Sequence, residues 1–176
     1  GEFEIAKPII DSLKSKIDNL KIIITFFSPS GFENSKNYKN ADSKVYLPLD
    51  TSRNAKKFIQ IVNPKIAVFV KNDIWSNYIT FLKKNNSIIY SISSKYRKSQ
   101  FYFKFFGYWF LNKLKQIDFF FVQDENSKNV LEKHLISNVI VSGDSRFTSV
   151  LKTLKSNKEI SKIERFINSK KCFIAG

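Results

Sequence analysis

The chain has 176 residues, a length typical of one domain with a sizeable buried core. Hydrophobic residues make up 43% and charged residues 26%, so the composition excludes a disordered chain. Thirty Lys and Arg residues against fifteen Asp and Glu give a formal net charge of +15. This charge favours partners that carry phosphate. The alternative is that the excess of Lys reflects an AT-rich gene, since Lys, Asn, Ile and Phe, all abundant here, have AT-rich codons.

The sequence also argues against disulfides, zinc sites and membrane-spanning helices. The single cysteine, Cys172, excludes an internal disulfide, fits a reducing cytoplasmic setting, and leaves no Cys/His cluster for zinc. No run approaches the ~18 apolar residues that a membrane-spanning helix needs. Because the chain starts at Gly1 and contains no Met, we expect it to be part of a longer protein.

Helices and strands are predicted to alternate along the chain. Apolar residues recur at helical spacing through residues 2–18, and the apolar run at 21–27 is typical of a strand buried on both faces. A polar loop then follows to about residue 43. Further strands are predicted at 45–47, 66–70, 87–92, 118–122, 138–141 and 171–175. Further helices are predicted at 53–62, 75–84, 99–116 and 126–135, with two more before residue 171.

This alternation predicts a doubly wound α/β fold, in which a parallel sheet carries helices on both faces. Ligands of such sheets bind at the carboxyl ends of the strands, where the predicted loops of this chain are polar and charged. The sequence contains no GxGxxG, GxxxxGK[ST] or GxSxG motif. These absences argue against a dinucleotide dehydrogenase, a P-loop NTPase and a serine hydrolase.

Seven segments carry a resemblance to a known family. In chain order they are GEFEIAKPII, TFFSPSGFE, YLPLDTSRNAKKF, VFVKNDIWSNY, YRKSQ, VQDENSK and SGDSRF. This ordered set resembles the N-terminal domain of the 3-deoxy-D-manno-octulosonic acid (Kdo) transferases, the lipid A glycosyltransferases. The lysine before Asn-Asp-Ile-Trp and the Arg-Lys-Ser-Gln loop are most similar to the Bacteroidetes branch.

The resemblance implies a Rossmann-like N-terminal half of a GT-B glycosyltransferase. Residues 1–155 would form the acceptor-binding domain, truncated at its start, and residues 156–176 a linker helix and the first strand of a donor-binding domain. Family members move Kdo from CMP-Kdo to a lipid A precursor with inversion and without an essential metal or cofactor. The resemblance further implies a monomer at the cytoplasmic face of the inner membrane, peripheral or anchored by a preceding segment. The fragment alone is expected to be inactive.

Two carboxylates are implied as catalytic residues. Inversion by direct displacement needs a general base, and the family's base corresponds to Glu2. The alternative for Glu2 is a first-turn acid that complements the helix dipole. Asp73 stands where the family has a Glu, and it is one methylene shorter. The alternative for Asp73 is an N-cap of the helix that begins near Trp75.

The resemblance also implies residues that bind the acceptor. Ser28, Ser30 and Gly31 match a Thr-Pro-Thr-Gly loop of the family, and a plain turn is the alternative. Basic residues at two further loops match the family as well, with ordinary solvated charges as the alternative. The implied acceptor-binding residues of these loops are Arg97, Lys98, Ser99 and Arg146.

Residues 96–115 interleave basic side chains with aromatic rings, a pattern typical of a surface that enters a lipid headgroup layer. The alternative is a core helix whose rings face the sheet. The residues predicted to contact an anionic membrane are Phe101, Tyr102, Lys104, Phe105 and Trp109.

A different function class also fits the charge and the aromatic content. A basic α/β module that binds RNA or another polyanion without catalysis would share both features. Such a module would need aromatic rings on an open sheet face or a continuous basic groove. The predicted strands lie under helices, so nucleic acid is not the expected partner.

Overall fold

The computed structural model of the protein describes residues 1–144, 146 and 147. Helices and strands alternate along this part of the chain, as the apolar pattern predicts. The helices are α1 (Glu2–Lys16), α2 (Pro29–Asn34), α3 (Ser52–Val62), α4 (Ser76–Lys84), α5 (Tyr108–Leu114) and α6 (Glu125–Lys133). The strands are β1 (Ile23–Phe26), β2 (Ser43–Tyr46), β3 (Ile66–Val70), β4 (Ile88–Ser94), β5 (Phe119–Val122) and β6 (Val139–Val141).

All strand pairs in the described residues are parallel, which confirms the predicted fold class. The strands form a two-stranded sheet, β1–β2, and a four-stranded sheet in the order β3–β4–β5–β6. In the larger sheet Ile66 lies opposite Ile88, and Phe120 lies opposite Val139. Strands β1 and β3 do not pair, and both line a cleft of about 1350 Å³.

The hydrophobic core lies between one face of the larger sheet and helices α3 to α6. Alternate side chains of β5 show why: Phe120 and Val122 are fully buried, while Phe119 is exposed. Ile79 of α4 and Leu131 of α6 are also fully buried in this core. Each such side chain contributes on the order of 1.5–3 kcal/mol on burial. The core therefore holds β3–β6 and these helices together as one body.

The predicted long helix at 99–116 is wrong. Two 3₁₀ turns, Phe101–Phe103 and Phe105–Gly107, precede the short helix α5. Between the turns Lys104 is extended, with φ −99° and ψ 164°. Gly107 packs directly against the first turn, because a Cβ there would lie 2.0 Å from the carbonyl oxygen of Phe101. A straight helix cannot make this contact.

The polar loop predicted after the first strand contains a helix that the pattern missed. Ser28 is its N-cap, and the Ser28 hydroxyl oxygen accepts a hydrogen bond from the Gly31 N–H at 3.3 Å. Pro29 occupies the first helical position, where its missing N–H costs nothing. The helix is only six residues long, so it shows no apolar periodicity.

No helix among the described residues is long and apolar enough to cross a membrane. The predicted two final helices, the strand at 171–175 and the domain boundary after residue 155 lie outside the described residues.

Candidate active site

Polar side chains meet at the carboxyl ends of β3 to β6, where the backbone is locally unusual. Lys71 follows β3 with φ 60°, Ser93 near the end of β4 has φ 51°, and Gly143 after β6 has φ 75°. A non-glycine residue in this left-handed region carries strain that its surroundings must hold in place. Such residues cluster at functional sites, so the backbone itself marks this edge of the sheet as a candidate site.

Glu2 lies at this edge as the first residue of α1. Its carboxylate accepts a hydrogen bond from Lys71 Nζ at 2.9 Å, although the two residues are 69 positions apart. This hydrogen bond, together with the backbone hydrogen bond at the helix start, holds the pKa of Glu2 below its usual range. Glu2 thus combines a position in the first helical turn with a lowered carboxyl pKa.

Asp73 lies near enough to Glu2 for their charges to interact. Asp73 is exposed to solvent, and partial desolvation by its neighbours raises the pKa of its carboxyl group. The negative charge of Glu2 raises this pKa further, and the ammonium of Lys71 opposes the rise. The structure therefore brings the two predicted carboxylates together, with Glu2 the more acidic relative to its usual pKa.

The alternative role of Asp73 as a helix cap is wrong. Helix α4 begins without a side-chain cap from its own N-cap residue, Trp75. The carboxylate of Asp50 does this work instead, because it accepts the N–H groups of Asn77 at 3.1 Å and Tyr78 at 3.3 Å. Asp73 is thus free of a capping role.

Arg146 reaches the same edge through Asp144. Its Nε and Nη2 donate to Asp144 Oδ2 at 2.9 and 2.5 Å, and this pairing lowers the pKa of Asp144. Gln123 Nε2 donates to Asp144 Oδ2 at 3.3 Å and to the Ser93 carbonyl oxygen at 3.1 Å. The charge of Lys71 also acts on Asp144.

Three members of this group, Lys71, Gln123 and Asp144, were not predicted as site residues. Each stands shortly after an apolar strand, the position where ligands of parallel sheets bind. Their position after a strand could have identified them as site residues, whereas their residue types alone could not.

The segment 28–31, which comprises the N-cap and first turn of α2 and is called the serine loop below, lies on the same cleft as Glu2. Ser28, Ser30 and Gly31 line it together with Asp73, and the hydroxyls of Ser28 and Ser30 are 3.3 Å apart. Gly31 packs closely, because a Cβ there would lie 3.0 Å from the ring of Phe26. The cleft therefore has a polar end, formed by these hydroxyls and the two carboxylates, and apolar walls from β1 and β3.

Arg97, Lys98 and Ser99 lie elsewhere. They are exposed in the loop after β4 and do not line the cleft. Two hydrogen bonds close the loop: the side-chain Oε1 of Gln100 accepts the Arg97 N–H at 2.9 Å, and the Gln100 N–H donates to the Arg97 carbonyl oxygen at 3.0 Å. Within the described part of the chain, the side chains of Arg97 and Lys98 form no ion pair. The structure thus separates this basic loop from the Glu2 group.

An aromatic surface follows this loop. Phe105 and Phe106 are 91% and 96% exposed, which is extreme for such large apolar rings. We call the exposed residues of this segment the aromatic surface. Its members are Phe101, Lys104, Phe105, Phe106, Tyr108 and Trp109.

The membrane contact predicted for Tyr102 is wrong. Tyr102 is only 7% exposed, and its ring packs 6.4 Å from the buried ring of Tyr96. The 3₁₀ turn at Phe101–Phe103 directs Tyr102 into the core and leaves Phe101 outside. In this segment some rings therefore pack in the core, as Tyr102 does, and others lie on the surface, as Phe101 does.

The family model of the 3-deoxy-D-manno-octulosonic-acid (Kdo) transferases matches residues 1–149. The chain belongs to this family. The assignment confirms the resemblance to the N-terminal domain of Kdo transferases. The matched residues include Glu2, Asp73, the serine loop and Arg146.

Curated Kdo transferases are similar over parts of the chain. The chain is 32% identical over 80 residues to the Haemophilus influenzae protein and 33% identical over 88 residues to the Aquifex aeolicus protein. These matches cover 45% and 47% of the chain, and 19% and 23% of those proteins. The Chlamydophila psittaci protein is 26% identical over 134 residues, covering 73% of the chain and 30% of that protein. The chain thus spans less than a third of each relative.

Two solved structures share the fold. The UDP-GlcNAc 2-epimerase of Methanocaldococcus jannaschii superposes with a TM-score of 0.66 at 18% identity. That of Neisseria meningitidis gives 0.67 at 15% identity. They cover 98% and 96% of the chain, which corresponds to 51% and 50% of those structures. At this identity the likeness shows the fold alone, a Rossmann-like half of the GT-B architecture, as predicted.

Proposed function

We propose that this chain forms the acceptor-binding half of a glycosyltransferase that moves Kdo from CMP-Kdo to a lipid A precursor. In this proposal a second domain binds most of the donor, and no metal or other cofactor takes part. The enzyme acts as a monomer at the cytoplasmic face of the inner membrane, as a peripheral or anchored protein. Membership of the family and the Rossmann-like fold support the proposal.

The proposed reaction is a direct displacement with inversion. The acceptor hydroxyl oxygen forms a bond to the anomeric carbon of Kdo as the bond to the CMP oxygen breaks. CMP leaves with the electron pair, and the carboxylate of Glu2 takes the proton of the attacking hydroxyl. The observation that carries this proposal is the carboxylate of Glu2 at the polar end of the cleft, hydrogen-bonded to Lys71 and near Asp73.

The acceptor is proposed to meet the serine loop and Arg146. The hydroxyls of Ser28 and Ser30 can donate to sugar or phosphate oxygens, and the guanidinium of Arg146 can pair with a phosphate. Arg97, Lys98 and Ser99 are proposed to meet acceptor or membrane phosphates further from the carboxylates, since they lie outside the cleft.

Activity is expected only when this chain is joined to its donor-binding domain. We expect such an enzyme to transfer Kdo from CMP-Kdo to a tetraacyl lipid A precursor, measured by mass spectrometry of the lipid product. Residues 1–176 alone are expected to give no product at the same concentration, because the donor has no complete site. Transfer by residues 1–176 alone would contradict the proposed place of CMP-Kdo. A joined enzyme that makes no Kdo-lipid product would contradict the proposed function.

The aromatic surface is proposed to contact the membrane that holds the acceptor. Phe105 and Phe106 stand out from the protein beside Lys104, and Lys113 lies 5.6 Å from the ring of Trp109. Aromatic rings favour the headgroup layer, and neighbouring ammonium groups attract anionic lipids. The net charge of +15 acts in the same direction.

Vesicle binding checks this surface. Replacing both Phe105 and Phe106 by Ser is expected to weaken binding to phosphatidylglycerol vesicles at least about tenfold, since each buried ring contributes on the order of 1.5–3 kcal/mol. The matched control is Ile61→Ser, which removes an exposed apolar side chain on α3. Co-sedimentation at fixed salt measures both. Unchanged vesicle binding by the double variant, or tighter binding to single-stranded RNA than to vesicles, would contradict the membrane role.

A further inference from the structure

Lys71 is held in a conformation that a lysine rarely adopts. Its φ of 60° lies in the left-handed region, which is strained for lysine but not for glycine. The Lys71 N–H donates to the carbonyl oxygen of Ile92 at 2.9 Å, so the bend is tied to β4. Strain of this kind persists only where the surrounding structure holds it, and it is frequent at active sites and ligand clamps.

The side chain of Lys71 points into a group of carboxylates. Its ammonium contacts Glu2 at 2.9 Å, and its charge acts on Asp73 and Asp144. Arg146, the other cation of this group, forms an ion pair with Asp144.

These contacts assign Lys71 a task that residue types alone do not suggest. We propose that Lys71 is the positioning residue of Glu2, holding its carboxylate at the polar end of the cleft where the acceptor hydroxyl must approach. The proposal deepens the proposed function and rests on Glu2 being the general base. Lys71 follows β3, so its hydrogen bond ties the Glu2 carboxylate of α1 to the end of that strand.

Lys71 also separates the two carboxylates in acidity. Its hydrogen bond lowers the pKa of Glu2, whereas desolvation and the Glu2 charge raise the pKa of Asp73. Glu2 is then the group that stays ionised as the pH falls, and only an ionised carboxylate can accept a proton. Loss of the ammonium should raise the pKa of both groups, because its charge favours both anions.

The first test measures Glu2 directly in residues 1–176. Carboxyl-detected NMR of protein labelled with ¹³C-Glu follows its titration in the unsubstituted chain and in three variants. Lys71→Met is expected to raise the pKa of Glu2, whereas Lys71→Arg is expected to keep it low. The control is Lys7→Met, which removes the 2.8 Å ion pair between Lys7 and Glu4 on the same helix. It should leave Glu2 unchanged. An unchanged Glu2 titration in folded Lys71→Met would overturn the proposal.

The second test uses the enzyme joined to its donor-binding domain. Lys71→Met is expected to lower kcat about tenfold or more, because small misplacement of a reacting group is costly, with KM for CMP-Kdo within about twofold. The acid limb of the pH–rate profile should move to higher pH, and Lys71→Arg should restore both. Full kcat in Lys71→Met would overturn the proposal. Absence of Kdo transfer in the unsubstituted enzyme would refute the proposed function, while the NMR titration would still decide the role of Lys71.

Discussion

Replacing Glu2 by Gln is expected to lower kcat for Kdo transfer about 10²- to 10⁴-fold, the range that general base catalysis contributes. The amide keeps the shape and can still accept a hydrogen bond from Lys71, but it cannot take the acceptor proton. Binding of the lipid acceptor should change little. The measurement is steady-state transfer by the enzyme in which this chain is joined to its donor-binding domain.

The control for this change is Glu4→Gln. Glu4 lies in the same first turn of α1 and pairs with Lys7 rather than Lys71. It should retain nearly full kcat, which separates the loss of a base from the loss of a first-turn negative charge. If Glu2→Gln also retained kcat, the base would have to be sought at Asp73, and Asp73→Asn would then be the variant to measure.

The pH dependence of the same reaction has a definite sign. Glu2 acts only when ionised, so the rate falls as the pH falls through its pKa. The Lys71 hydrogen bond holds that pKa below the usual range of a glutamate. The acid limb should therefore lie at lower pH than an unpaired glutamate would give.

The strands and their direction could be predicted because their signal is local. Apolar runs such as 66–70 and 118–122 stand between amphipathic helices, and parallel pairing follows from the alternation. Separation of β1–β2 from β3–β6 could not be predicted in this way. Which edges pair depends on contacts between distant segments, and a run of Ile and Phe reads the same in either sheet.

The contacts of the candidate site could be predicted only in part. Glu2 and Asp73 lie near each other in the structure, although nothing in sequence spacing predicts that Lys71 reaches Glu2 across 69 positions. Asp73 also looked like a helix cap, because an acid just before a helix is a common cap. The actual cap is Asp50, which approaches from the loop before α3 and is 27 residues from Asn77.

The segment 99–116 shows how a local pattern can mislead. Its rings suit an amphipathic helix, and only Gly107 signalled a break. The two 3₁₀ turns fold back on each other there, so that Tyr102 is buried while Phe105 and Phe106 are exposed. The fold of this segment thus depends on Gly107, which allows the two turns to pack closely.

Gly107→Ala is accordingly expected to be among the most damaging substitutions of one small residue in this chain. The added Cβ would lie 2.0 Å from the Phe101 carbonyl oxygen and 2.4 Å from the Cα of Tyr102. Both obstacles are backbone atoms, so no side-chain rotation relieves the overlap. We expect a loss of about 2–3 kcal/mol in the free energy of unfolding, at the upper end for overpacking, measured by urea denaturation of residues 1–176.

Phe106→Ala separates the fold of this segment from its proposed contact with lipid. The ring of Phe106 is almost fully exposed, so its removal should change the free energy of unfolding by no more than about 0.5 kcal/mol. The same variant should bind phosphatidylglycerol vesicles more weakly, whereas Gly107→Ala should lose both stability and vesicle binding. An unchanged unfolding midpoint in Gly107→Ala would mean that the two turns do not pack as closely as the Phe101–Gly107 contact requires. That result would also contradict the exposure of Phe105 and Phe106, because their exposure depends on this packing.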